Sequence, residues 1–171
     1  LPTMALTLSH AVGPAEPPLR DITLGALLAE AAATAAERIA LIQGAPDPAD
    51  RRQWTYAQLH AECLRTARAL RRRFQPGERL AVWSANRPEW VMLEFGCALA
   101  GVVLVTVNPA FRQHELQYVL QQSRAAGVFV VEQFRGNPMR ATVQAVAPSC
   151  PDLREILHFE DWDSFIATGD D

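Results

Sequence analysis

An α/β fold, with a mainly parallel sheet covered by helices on both faces, is what this sequence predicts, and three observations carry it. Strand-like apolar runs alternate with helical patterns at short intervals through most of the 171 residues. That alternation places parallel strands beneath crossover helices. Val102 to Val107 is rich in β-branched residues, as a strand buried on both faces requires. Between Trp90 and Ala100 almost every residue is apolar or small, so the helix there has little polar face to offer water and belongs inside a layered structure.

The elements follow in chain order. Residues 1–20 carry Pro2, Pro14, Pro17 and Pro18 without periodicity and are expected to form an extended leader with no chemistry. Thr23 can cap a helix whose Leu24, Leu27, Leu28, Ala31, Ala32 and Ala35 recur on one face. Ile39 to Ile42 makes a short apolar strand, and residues 44–52 form a surface loop leading to Trp54. Thr55 and Gln58 have the spacing of a capping box, and Tyr56, Leu59, Cys63, Ala67, Leu70 and Phe74 follow at intervals of three or four. The opposite face of that helix carries Arg65, Arg68, Arg71, Arg72 and Arg73, the last three where positive charge favours the helix dipole. A solvated helix end is the expected role of these arginines; docking to an anionic membrane or another subunit is the alternative.

Pro76-Gly77 suits a tight turn into the apolar run Leu80–Trp83, and Pro88 fits the first position of the next helix. Gly101 stands where that helix needs a left-handed residue, and Asn108-Pro109 ends the strand that follows. Leu116, Val119 and Leu120 mark a further helix ending near Ser123, and Val128 to Val131 is a strand. Asn137-Pro138 opens a helix through Val146 that Pro148 and Pro151 stop, and Ile156 to Phe159 is the last strand. The expected organisation is a leader over 1–20, one α/β subdomain over 21–160, and an acidic tail over 161–171 that frays.

Composition limits the chemistry. A net charge of -3 gives no electrostatic case for nucleic acid. All 16 basic residues are arginine, which excludes a Walker-type phosphate loop, a Schiff base or a lysine-dependent adenylation step within these residues. Cys63, Cys97 and Cys150 are far apart and odd in number, as reduced packing residues of a cytoplasmic protein would be. No apolar run approaches the roughly 18 to 20 residues of a membrane span. His114-Glu115-Leu116-Gln117-Tyr118 misses a zinc-protease helix because Tyr118 replaces the second histidine. His10, His60 and His158 have no partner at metal-ligand spacing, and neither a dinucleotide fingerprint nor a Gly-x-Ser-x-Gly elbow occurs. No catalytic or metal-binding residue is therefore assigned.

An ordered series spans Ile22 to Phe159. It comprises Trp54-Thr55-Tyr56 with Leu59, Gly77-Glu78-Arg79, Asn86-Arg87-Pro88-Glu89-Trp90, Ala100-Gly101, Asn108-Pro109-Ala110-Phe111-Arg112, Glu115-Leu116 and Tyr118-Val119-Leu120. The series resembles the N-terminal region of the adenylate-forming (AMP-binding) enzymes and is most similar to the medium- and long-chain fatty acid-CoA ligases. The resemblance implies a two-step reaction in which a carboxylate and ATP form an acyl-adenylate and pyrophosphate, and the thiol of CoA then displaces AMP. In that family a Ser/Thr/Gly-rich loop ending in Lys-Gly, a later Mg2+-binding Glu and a C-terminal lysine serve the chemistry, and none stands in this sequence. ATP, Mg2+ and CoA are thus cofactors of the full-length enzyme, with none held tightly by these residues alone.

The resemblance also implies that basic residues after the Val128–Val131 strand, here Arg135 and Arg140, approach the CoA nucleotide; guanidinium groups suit phosphate oxygens. Surface arginines at a helix start are the competing explanation. Asn108 and Arg112 lie in a loop after a strand end, where α/β sheets place ligands, and are expected to fix the turn. Thr168-Gly169-Asp170 matches a family nucleotide motif but in the wrong place, so the match is taken as accidental. The expected partner is the remainder of the same ligase chain, with a fatty acid as substrate; homodimerisation and peripheral membrane attachment stay open. A non-catalytic α/β binding or interaction module complete at this length, or a stand-alone Rossmann-like binder, is the alternative. The reading frame after Asp171 separates these.

Overall fold

The structure is a computed structural model that describes residues 12–14 and 16–170. Most of the expected leader, residues 1–11 and 15, lies outside the described residues. The first helix, α1 (Leu24–Thr34), begins as its sequence predicts: the Ala26 N–H donates to Thr23 Oγ1 at 3.2 Å. The strand expected over 39–42 forms as β1 (Ile39–Ile42), but outside the parallel sheet. It pairs antiparallel with β2 (Gln53–Thr55), a three-residue strand too short to show a period in sequence. Thr55 then caps α2 (Tyr56–Arg71): the Gln58 N–H donates to Thr55 Oγ1 at 3.2 Å and the Thr55 N–H to Gln58 Oε1 at 2.9 Å.

From there strand and helix alternate. The elements are β3 (Arg79–Trp83), α3 (Pro88–Ala100), β4 (Val103–Thr106), α4 (Gln113–Ser123), β5 (Gly127–Val130), α5 (Met139–Val146), β6 (Glu155–His158) and α6 (Trp162–Ala167). The four later strands form one sheet in the order β4-β3-β5-β6, every pair parallel. Period-two alternation divides their side chains between two cores. Leu80, Val82 and Phe129 pack with α1, α2, α3 and α6, while Ala81, Trp83, Val128 and Val130 pack with α4 and α5. The expected fold class is thus the observed one, but β4, expected to be buried on both faces, is an edge strand with none of its four residues buried, because only β3 pairs with it.

No residue of α3 is exposed, in keeping with its apolar sequence. It lies close against α2, since a Cβ added at Gly96 would sit 2.5 Å from Thr66 Cγ2. Gly101 closes α3 at φ 74°, in the left-handed region its position called for.

The acidic tail differs from expectation. Instead of fraying, residues 162–167 form α6, whose Trp162, Phe165 and Ile166 are buried. The rings of Phe165 and Phe129 meet edge to face at 5.0 Å. Beyond α6, Asp170 accepts two bonds of 2.6 Å from Arg65, and Gly169 lies so near α2 that a Cβ there would be 2.4 Å from the Arg65 carbonyl oxygen. Apolar burial at i, i+3 and i+4 outweighs the cost of placing charges on the outer side of the same short helix.

Candidate functional site

The sheet order creates a switch point. From β3 the chain moves to β4 on one side and then crosses back to β5 on the other. The loops leaving the carboxyl ends of β3 and β5 therefore diverge, which opens space where α/β sheets bind ligands.

A cleft of about 690 Å3 lies at this end, bordered by Gly44 and Arg52 from the hairpin side, Asn86, Arg87 and Glu89 after β3, and Glu160 after β6. Its two arginines are already paired. Glu89, only 7% exposed, accepts from Arg52 Nη2 and from Arg87 Nε, both at 2.8 Å. Burial pushes the Glu89 carboxyl up, but the bonds from Arg87 and Arg52 outweigh it and hold the group below the usual carboxylate range. Arg87 also lies 4.6 Å over the Phe159 ring and Arg52 5.2 Å over Trp54. The cluster ties the β1–β2 hairpin to the start of α3, and its two cations are spent on that task.

A smaller groove of about 180 Å3 lies between the loop after β4 and the turn after β5, bordered by Pro109, Ala110, Arg112, Phe134, Arg135 and Asn137. Each wall is fixed by local chemistry. On the β4 side the Trp83 indole N–H donates to the Asn108 carbonyl at 3.0 Å, and Asn108 Oδ1 accepts from the Ala110 N–H at 2.9 Å. The Arg112 N–H donates to Glu115 Oε2 at 2.7 Å, which starts α4 and leaves the Arg112 guanidinium outside the cap. On the β5 side, Phe134 and Asn137 exchange backbone hydrogen bonds of 3.0 and 2.8 Å around Arg135 and Gly136. Both central residues have positive φ, 47° and 74°, as in a hairpin turn of the primed class. A left-handed arginine is a strained choice. It sets the guanidinium 5.1 Å over the Phe134 ring.

The sequence-predicted pair separates here. Arg135 is exposed and borders the groove. Arg140 pairs with Glu132 at 3.2 Å and is not among the groove residues. Arg112, expected only to fix a turn, joins Arg135 in its place. No ion pair forms at Arg112 or Arg135 among the described residues. Asn137, 5% exposed, is a groove residue that its sequence context marked only as a helix start.

Other candidates recede. The three cysteines are free and buried, and burial pushes the thiols of Cys63 and Cys97 up to about 12, so neither is poised as a nucleophile. Among the described residues no three His, Cys, Asp or Glu gather as a metal would need, and no helix is long and apolar enough to cross a membrane. The Thr168–Asp170 motif is engaged with α2 through Arg65.

Comparison with known proteins gives this geometry a context. A family model described as AMP-binding enzyme matches residues 28–168. The chain is 35% identical over 133 residues to YngI of Bacillus subtilis (strain 168), a candidate acyl-CoA synthetase, covering 77% of this chain and 24% of that protein. It is 31% identical over 142 residues to the mitochondrial medium-chain acyl-CoA ligase ACSF2 of Homo sapiens, covering 82% and 22%. The chain thus spans about a quarter of the length of these curated relatives. Among solved structures, a long-chain-fatty-acid-CoA ligase (FadD1) from Archaeoglobus fulgidus superposes with a TM-score of 0.80 at 18% identity, covering 95% of this chain and 33% of that one. The anthranilate CoA ligase AuaEII, solved with anthranoyl-AMP, superposes with a TM-score of 0.73 at 22% identity, covering 85% and 27%. At those identities the structures establish a shared fold.

Proposed function

Since the chain belongs to the AMP-binding enzyme family, we propose that it is the N-terminal subdomain of an ATP-dependent fatty acid-CoA ligase and that its groove receives the phosphates of the CoA nucleotide. The ligase joins acid, ATP and CoA into acyl-CoA, AMP and pyrophosphate through an acyl-adenylate. The observation that supports the groove's role is that two exposed arginines, Arg112 and Arg135, border one depression and neither guanidinium forms an ion pair among the described residues. Planar paired donors match phosphate oxygens, and a cation released from internal ion pairs loses little on taking an external anion. Arg135, already stacked on Phe134, is pre-oriented, which lowers the ordering cost of binding. Arg140 is paired with Glu132 and does not border the groove.

Mg2+ and ATP belong, in this proposal, to the remainder of the ligase, because the 171 residues contain no lysine and bring together no metal-ligating group among those described. The chain alone is expected to give no ATP–pyrophosphate exchange with any fatty acid. The direct test is calorimetric titration with CoA and with pantetheine, which lacks the nucleotide. Binding of CoA but not pantetheine is the expected result; equal binding of both, or of neither, refutes the groove's role. Exchange activity in the chain alone refutes the division of labour.

A further inference from the structure

Asn137 is one of only a few buried polar residues among those described, at 5% exposure, and its position is unusual. Its backbone closes the turn that carries Arg135, while its side-chain Nδ2 donates to the Phe111 carbonyl at 2.9 Å, across to the loop that carries Arg112. The two loops leave strands that are not neighbours, since β3 lies between β4 and β5. Strand pairing alone therefore leaves the spacing of the two loop tips unset. The Asn137–Phe111 bond is a direct brace between them. A buried amide has strong reason to keep that bond, because a buried polar group left without a partner is costly.

Resting on the CoA-groove proposal above, we infer that Asn137 is a positioning residue that sets the distance between the Arg112 and Arg135 guanidiniums so that both engage the same phosphate-bearing ligand. Without the brace each arginine still carries its charge, but the pair no longer acts together. The loss on substitution is then the loss of cooperation, which a residue of purely structural importance does not produce.

The test is a double-mutant cycle read by titration with CoA. Asn137→Leu keeps about the size of the side chain and removes the donor without adding a charge; Asn137→Ala removes the group. Each is expected to weaken CoA binding about tenfold and to flatten its salt dependence, while Arg112→Ala on top of either costs less than about twofold more. Full additivity of Asn137→Leu with Arg112→Ala, or an unchanged CoA affinity in Asn137→Leu, overturns the inference while leaving the groove proposal intact. Indifference of CoA binding to Arg112→Ala and Arg135→Ala in the parent background instead sinks the groove proposal, and this inference falls with it. If both Asn137 variants lose the parent circular dichroism spectrum, Asn137 is a folding residue and the inference is also overturned.

Discussion

The large cleft and the small groove open at the same end of the same sheet, yet they differ in what their arginines are doing. In the cleft of about 690 Å3, Arg52 and Arg87 both serve Glu89, which is nearly buried. In the groove of about 180 Å3, Arg112 and Arg135 are exposed and neither guanidinium forms an ion pair among the described residues, the Glu115 carboxylate being taken by the Arg112 N–H. A paired cation gains little from an incoming anion, because the new contact must displace an existing one. Volume alone favours the cleft as the place for a phosphate; the CoA-groove proposal rests on charge balance instead.

Substitutions that invert or erase that contrast sharpen it. Among single substitutions the largest effect is expected from Arg135→Glu, which places a carboxylate in the groove and should weaken CoA binding about 10- to 100-fold by calorimetry. Glu89→Ala should leave CoA affinity nearly unchanged but cost about 2 kcal/mol of stability in urea unfolding. That figure is below the full penalty for breaking a buried pair because Arg52 is 54% exposed and its charge stays partly solvated. Glu89→Gln tests the same cluster through pH. Its carboxyl is held below the ordinary 4.5, so the stability it contributes is complete above that value and is lost as pH falls through the lower folded value. Urea midpoints below pH 5 should therefore fall less steeply in Glu89→Gln than in the parent, while Glu78 and Asp170, also lowered by arginine partners, keep part of the slope. The smallest effect is expected from Arg140→Ala, which breaks only an exposed pair with Glu132 and should change CoA affinity by less than about twofold.

The sheet was legible in sequence because short apolar runs alternate with helical patterns, and α3 because it has no polar side; the β-branched run at β4 marked a strand but not its burial, since β4 lies at the sheet edge and Val103 is 50% exposed. The capping box of α2 and the left-handed Gly101 are local signals that need no tertiary context, and both stand as expected. β2 escaped notice because three residues carry no period and Thr55 already had a role as a cap. For α6, acidic neighbours hid a spacing, Trp162, Phe165 and Ile166, that was present to be read. The lining of the proposed groove was half legible for a different reason. Arg135 and Arg140 look alike in sequence, five residues apart after one strand, and only the turn at Arg135 and the Glu132 carboxylate near Arg140 tell them apart. Arg112 and Asn137 join Arg135 only through the strand order, which brings together loops about 25 residues apart, a separation that no local pattern encodes.

The most direct trial of the unbalanced groove is titration of CoA into the parent protein and the Arg112→Ala/Arg135→Ala variant at low and high salt. The account predicts that CoA binds the parent with an affinity that falls as salt rises, and that the variant binds on the order of 100-fold more weakly with little salt dependence. Equal affinities and equal salt slopes in the two proteins would contradict it.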